Sequence, residues 1–155
     1  MNASPARYLH WSKTLPGIVL DETNAVLNGK WQCSTHTPPY VGIGYLHDQN
    51  SDKGKKSVMW APNIPKAGKY EVRLSHYHNV RRTTNTPVTI VHASGKTTIG
   101  INQQEVSNYG NLFRTRSVFK FKKGKAGSII ISNEGTDGKY VIADAIQLLE
   151  HSPKR

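Results

Sequence analysis

The chain has 155 residues, a length that suits one domain able to bury roughly two-thirds of the surface its unfolded form exposes. A single cysteine, Cys33, excludes an internal disulfide and a cysteine-rich structural zinc site. The balance of 21 Lys and Arg against 10 Asp and Glu, a net charge of +11, favours anionic partners through long-range attraction but does not name them.

Residues 1–17 read as an N-terminal linker or tail. They contain Arg7, His10 and Lys13 and no apolar stretch of signal-peptide length, so neither secretion nor membrane insertion is visible in them. Asp21 to Val41 supplies the first strands, with Trp31 and Tyr40 as candidate core aromatics and Pro38-Pro39 breaking the run. His47 to Gly54 is polar and turn-rich, and reads as a loop.

From Lys56 onward, short runs rich in Val, Ile, Tyr, Phe and Thr recur between Gly, Pro and Asn/Asp clusters: 56–61, 68–77, 88–92, 96–101, 113–121 and 140–149. None carries an apolar repeat at helical period. Tyr70, Val72 and Leu74 alternate with Glu71 and Arg73, the period of two of a half-buried strand. The pattern predicts an all-β sandwich or barrel. Residues 151–155 read as a C-terminal tail.

Several strands continue their inward phase into a polar residue: His76, His92, Gln103 and Asp144. If successive strands reverse direction, as short connections demand, the loops 47–54, 78–87, 102–111 and 133–138 open at one end. The turns 63–67, 93–95 and 122–127 close the other. The first end gathers Tyr77, Arg81, Arg82, Asn85, Gln103, Gln104, Tyr109, Thr136 and Asp137. Tyr can stack on an apolar ring face; Asn, Gln and Asp match vicinal hydroxyls; Arg forks onto a carboxylate or sulfate. Such side chains suit a polar ligand, although loop ends are polar in any fold.

His76 and His92 fall at opposite ends, which separates them as a metal or catalytic pair. Asp144, inside an apolar run, reads as a buried carboxyl that accepts backbone N–H groups or an Arg and locks strand register. Asp21 and Glu22 are placed to join it if first and last strands are neighbours; whether the three bind calcium stays open. Cys33 and His36 sit on opposite faces of a strand, unsuited to a thiolate pair. The lysines 120, 122, 123 and 125 read as a solvated hairpin turn. There is no Gly-x-Ser-x-Gly elbow, no His-Glu-x-x-His and no phosphate loop, and the chain reads as a binding module without cofactor. Nucleic-acid binding would rest on charge alone, since the aromatics are not interleaved with Lys and Arg.

The chain resembles a known family, the golvesin C-terminal-like or xanthan-lyase carbohydrate-binding-like domain. The resemblance rests on Trp31 with Gly42 and Tyr45, Pro65 to Val72, Arg82 to Val88, His92 with Gly95, Asn102-Gln103-Gln104 and Val141 to Ala145, in order over about 18–149. One departure is Leu112 to Arg116, where the family often has an aromatic and Leu-Gly.

The resemblance implies an antiparallel β-sandwich over residues 18–150, jelly-roll-like and galactose-binding-like, with about 9–10 strands. It also implies an accessory domain of bacterial extracellular or envelope proteins, such as polysaccharide lyases and FAD-dependent oxidoreductases. The implied role is non-catalytic binding of a polysaccharide or oligosaccharide, acidic glycans included. The ligand-contact set, read from the loops at one end and not from the resemblance, is Tyr77, Arg81, Arg82, Asn85, Gln103, Gln104, Tyr109 and Asp137. The alternative is a docking domain that packs on a linked oxidoreductase or lyase and binds no sugar. Neither nucleic acid nor membrane insertion is expected.

Overall fold

A computed structural model describes residues 9–10, 14–107 and 113–151. In chain order the strands are β1 (Leu9–His10), β2 (Ile18–Asp21), β3 (Val26–Asn28), β4 (Gln32–Ser34), β5 (Tyr40–Val41), β6 (Tyr45–His47), β7 (Ser57–Trp60) and β8 (Gly68–Ser75). They continue as β9 (Thr86–His92), β10 (Gly95–Ile101), β11 (Phe113–Phe121), β12 (Ser128–Ser132), β13 (Ile142–Ala143) and β14 (Ala145–Glu150). A 3-10 turn, Glu22–Asn24, is capped by the Asp21 side chain.

Two antiparallel sheets face each other: a five-stranded sheet, order β10-β9-β12-β7-β3, and a four-stranded sheet, order β11-β8-β14-β2. A small sheet, β13-β6-β4, sits at one end, and β1 pairs with β5. The all-β sandwich is as expected from the sequence. In β8 the alternation is kept: Tyr70, Val72 and Leu74 are buried while Glu71 and Arg73 are half-buried. Across the core they meet Val58, Trp60, Val88, Ile90, Ile129 and Ile131. Removing each such side chain from water stabilises the fold by about 1.5–3 kcal/mol.

Three details differ from the sequence pattern. The strand β12 was not among the expected runs, because Ile129-Ile130-Ile131 has no alternation to read, yet it is the middle strand of its sheet. Trp31 is only half-buried at the core edge, and Tyr40 belongs to a separate cluster with Tyr45 and Ile142. The run expected to be one strand from Tyr140 is interrupted at Asp144, and Val141 to Leu148 is buried on both faces. Its outer side is covered by Leu15, Val19 and Val41 packed on Ala145, and Gln147 Nε2 donates to Pro16 O at 2.9 Å.

Neighbouring strands in the two main sheets are antiparallel, but reversal along the chain is not strict, since β4 and β6 are antiparallel with one strand between them; the two ends of the sandwich differ. At one, Ile64 and Gly124 exchange backbone hydrogen bonds of 2.9 Å and Ala93 N donates to Lys120 O. At the other, loop 48–56, segment 79–83, Gln103-Gln104 and residues 133–142 are stitched together around the small sheet.

Candidate functional site

The small sheet forms because the chain can approach itself at Gly44. A Cβ there would come within 2.8 Å of Ser34 O and 3.0 Å of Cys33 Sγ, so glycine lets β6 press against β4. Along β6, Tyr45 and His47 share one face while Leu46 enters the core.

Segment 79–83 is then fixed against this sheet. Arg82 pairs in parallel with Tyr140: Tyr140 N donates to Arg81 O and Thr83 N to Tyr140 O, both at 2.9 Å. Gln104 Nε2 donates to the carbonyls of Val80 and Arg82, and Lys139 Nζ to Val80 O.

The resulting open cleft, about 680 Å³, is lined by Ser34, His36, Thr37, Tyr45, His47, Asn79, Val80, Arg81, Arg82 and Tyr140. Arg82 is 8% exposed, and its Nε has no hydrogen-bond partner among the described residues. Its guanidinium lies over the Tyr45 ring, 5.8 Å from the centroid. Among the described residues no carboxylate lies within ion-pair distance of it. Burial pushes its pKa down, with the Tyr45 phenol partly offsetting this; a guanidinium remains cationic at neutral pH all the same. Arg81 is exposed beside it.

His47 and Tyr140 meet edge to face, centroids 5.5 Å apart. His47 Nδ1 accepts from Gln49 N–H, and burial lowers its pKa; Asp48 opposes the shift, and Arg82 and Lys56 reinforce it. The imidazole is therefore neutral at pH 7, with its proton on Nε2.

Beneath the cleft, loop 48–56 is built on Asp48, which is wholly buried. Its carboxylate accepts from Val141 N–H, Asn50 N–H, the Asn133 amide and the Lys53 ammonium. Burial alone would raise its pKa, but these donors together hold it below the usual carboxylate range. Lys56 is also buried and donates to Asp48 O and Ser51 Oγ. Asn133 closes the loop by accepting from Gly54 N–H and Lys56 N–H.

The eight residues expected to contact ligand are dispersed. Arg81 and Arg82 line the cleft. Tyr77 lines a narrow crevice that shares Thr37, Tyr45 and Arg82 with it but has no room for a water molecule. Gln104 holds the carbonyls of segment 80–82. Gln103 is buried, with its amide bonded at both ends to the Ile142 backbone. The Asn85 side chain lies against Gly100, where no Cβ would fit. Asp137 is exposed on the 133–138 turn and does not line the cleft. Tyr109 lies outside the described residues. The sequence reading did not single out Tyr45, His47, Asn79 or Tyr140 for the site; aromatics spaced by two on a three-residue strand carry no recognisable signal.

Asp144 accepts Val41 N–H and the Ser75 hydroxyl, the register-locking role expected of it. Burial pushes its pKa well up, and Glu22 and Asp21 add to the rise. The Cys33 thiol is likewise pushed up, first by desolvation and then by Glu22, which leaves it a poor nucleophile. Among the described residues no group of three or more His, Cys, Asp or Glu side chains is placed to hold a metal ion.

The family model for the Golvesin C-terminal domain matches residues 18–150. The chain belongs to that family. This golvesin domain is 36% identical over 141 residues to xanthan lyase of Bacillus sp. (strain GL1), covering 87% of the domain but 15% of the relative. It thus spans about one-seventh of that relative's length. The structure of Paenibacillus xanthan lyase matches at TM-score 0.80 and 32% identity, over 86% of the domain and 13% of that chain. CBM35 from Paenibacillus barcinonensis, a family 35 carbohydrate-binding module, matches at TM-score 0.64 and 20% identity, over 87% of the domain and 100% of that chain. The golvesin domain therefore has the sandwich fold of those modules. Among the described residues no helix is long and apolar enough to cross a membrane.

Proposed function

We propose that this domain is a non-catalytic module that binds an acidic saccharide unit of an extracellular polysaccharide in the Tyr45–Arg82–Tyr140 cleft, and that it serves a larger carbohydrate-active protein as an accessory domain. The observation that carries the reading is Arg82: a buried guanidinium that has, among the described residues, an unpartnered Nε and no counter-ion, on the wall of an open cleft. Burying a charge without a partner is costly, and a ligand carboxylate supplies the missing charge. Arg81 adds a second fork, Tyr140 an aromatic edge, and Ser34, Thr37 and Asn79 donors and acceptors for hydroxyls. The kinship with xanthan lyase supports a polysaccharide as the partner and an extracellular setting.

Affinity electrophoresis tests this with xanthan, polygalacturonate and neutral dextran in the gel. Retardation by an acidic polymer and not by dextran is the expected result; no retardation by any of them overturns the reading.

A second reading, docking on a linked lyase or oxidoreductase domain, is favoured by one feature. Across the five-stranded sheet the outward row runs Val26, Met59, Ile130, Thr89, Thr98, with no charge in it. Val26 is 62% and neighbouring Leu27 43% exposed. An uncharged row of this kind suits a partner surface. Co-purification of the domain with a separately expressed lyase catalytic domain, abolished by Ile130→Lys, tests it.

A further inference from the structure

The end of the sandwich opposite the cleft carries charge that the proposed saccharide site does not use. Lys69 on β8 and Lys120 on β11 stand directly opposite each other in the antiparallel register. Like charges in that relation destabilise a sheet. Next to them the turn bearing Lys122, Lys123 and Lys125 is held rigid, because Gly124 and buried Ile64 exchange two backbone hydrogen bonds. These lysines are exposed, as are Lys69, Lys96 and Lys120. Among the described residues none of the six has a carboxylate within ion-pair distance.

The acids are segregated. Glu150 pairs with Lys66 and Glu71 with Arg73; every other Asp and Glu belongs to segments 21–22, 48–52, 105 and 134–144, which gather at the cleft end or beside it. Beside the lysine turn lies a hollow of about 230 Å³ whose lining includes His92, Phe121 and Lys122.

We propose that this lysine end, centred on the Lys69–Lys120 pair and the 122–125 turn, is a second binding surface and that its partner is a linear anionic polysaccharide. A repeating polyanion meets several rigidly presented ammonium groups at once, releases its counterions, and relieves the Lys69–Lys120 repulsion. Lysine is suited to this because it acts as a point charge and needs no fixed ligand orientation. Nucleic acid is disfavoured: at this end Phe121 is buried, and Phe119 stacks on His92 and packs against the core, so neither ring is a free platform for bases. With the cleft at the other end, one domain engages two stretches of polymer, and avidity follows.

The test compares two double variants with equal charge loss, K120Q/K122Q at this end and K30Q/K55Q at the other. Retardation is measured in polygalacturonate gels with excess free galacturonate present to fill the cleft. Because both doubles are read against the same galacturonate at matched ionic strength, failure of the cleft reading leaves this comparison intact. The expected result is a loss of affinity of about five-fold or more for K120Q/K122Q at low ionic strength, vanishing at high salt, with K30Q/K55Q close to wild type. Lys120→Gln alone should also raise Tm by about 1–2 °C at low salt while weakening retardation, a combination that a purely structural lysine would not give. Equal losses in the two doubles, or no retardation of wild type, would overturn the proposal. Tighter binding of a DNA oligonucleotide than of polygalacturonate would overturn the choice of partner.

Discussion

The Arg82 guanidinium covers the face of Tyr45, with 5.8 Å between its central carbon and the ring centroid. The contact joins segment 79–83 to the small end sheet and fixes the orientation of the charge at the cleft. Arg82→Met keeps length and apolar contact but removes the charge; it should lower affinity for an acidic saccharide about ten-fold or more. Arg82→Lys should recover only part, because an ammonium lacks the planar fork. Isothermal titration with an acidic oligosaccharide reads both, and an unchanged affinity in Arg82→Met would remove Arg82 from the site.

Binding should depend on pH through His47. The free imidazole titrates below its ordinary value because it is buried. An anion in the cleft favours the protonated ring and raises that pKa, so affinity increases as pH falls from 7 through the bound-state pKa. It declines again once the ligand carboxylate is protonated. His47→Gln should flatten the first of these limbs in titrations from pH 7 to 5.

Stability should fall from mildly acidic to neutral pH, with Glu22 as a main cause. Burial, with Asp21 adding to it and the turn's backbone N–H opposing it, pushes its carboxyl up to about 7. Between the unfolded value of 4.5 and about 7 the native state therefore holds more protons than the unfolded one. Stability is greatest below that window and is lost as pH rises through it, by at most about 3 kcal/mol. Asp144, also raised, acts in the same direction. Asp48 has the opposite sign: its depressed pKa contributes stability above the unfolded value, lost as pH falls through the folded one. Urea denaturation between pH 4 and 8 should show the descending limb, and Glu22→Gln should reduce it.

The loop under the cleft depends on Asn133. Asn133→Ala would leave Asp48 and Lys56 N–H short of a partner in a buried setting, and Gly54 N–H short of one at the exposed edge of the loop. The expected cost is about 3 kcal/mol, with proteolysis appearing first in residues 48–56. A change under 1 kcal/mol by urea denaturation would contradict the assignment of Asn133 as the closing residue.

The sandwich was legible in the sequence because alternation at Tyr70 to Leu74 or Val88 to Ile90 reflects one buried face per strand. Reversal of direction was enough to collect Arg81 and Arg82 at one end. The fine placement was not legible, because Gln103, Gln104 and Asn85 look like ligand-binding side chains. Two of them bond to backbone carbonyls, and Asn85 lies on Gly100. A polar side chain at a loop end satisfies backbone as readily as it binds sugar, and only the fold decides which. Asp48 was hidden for a similar reason: in a run of turn residues nothing distinguishes a buried carboxylate from solvated ones.

The most direct test is an amide NMR titration of the isotope-labelled domain with galacturonate, and with glucose as the neutral control. Saturable shifts at Tyr45, His47, Arg81, Arg82 and Tyr140, produced by the uronate alone and absent in Arg82→Met, are the predicted result. No shifts at these residues, or uronate shifts confined to distant positions such as Asn85 and Asp137, would contradict a cleft built around the buried guanidinium.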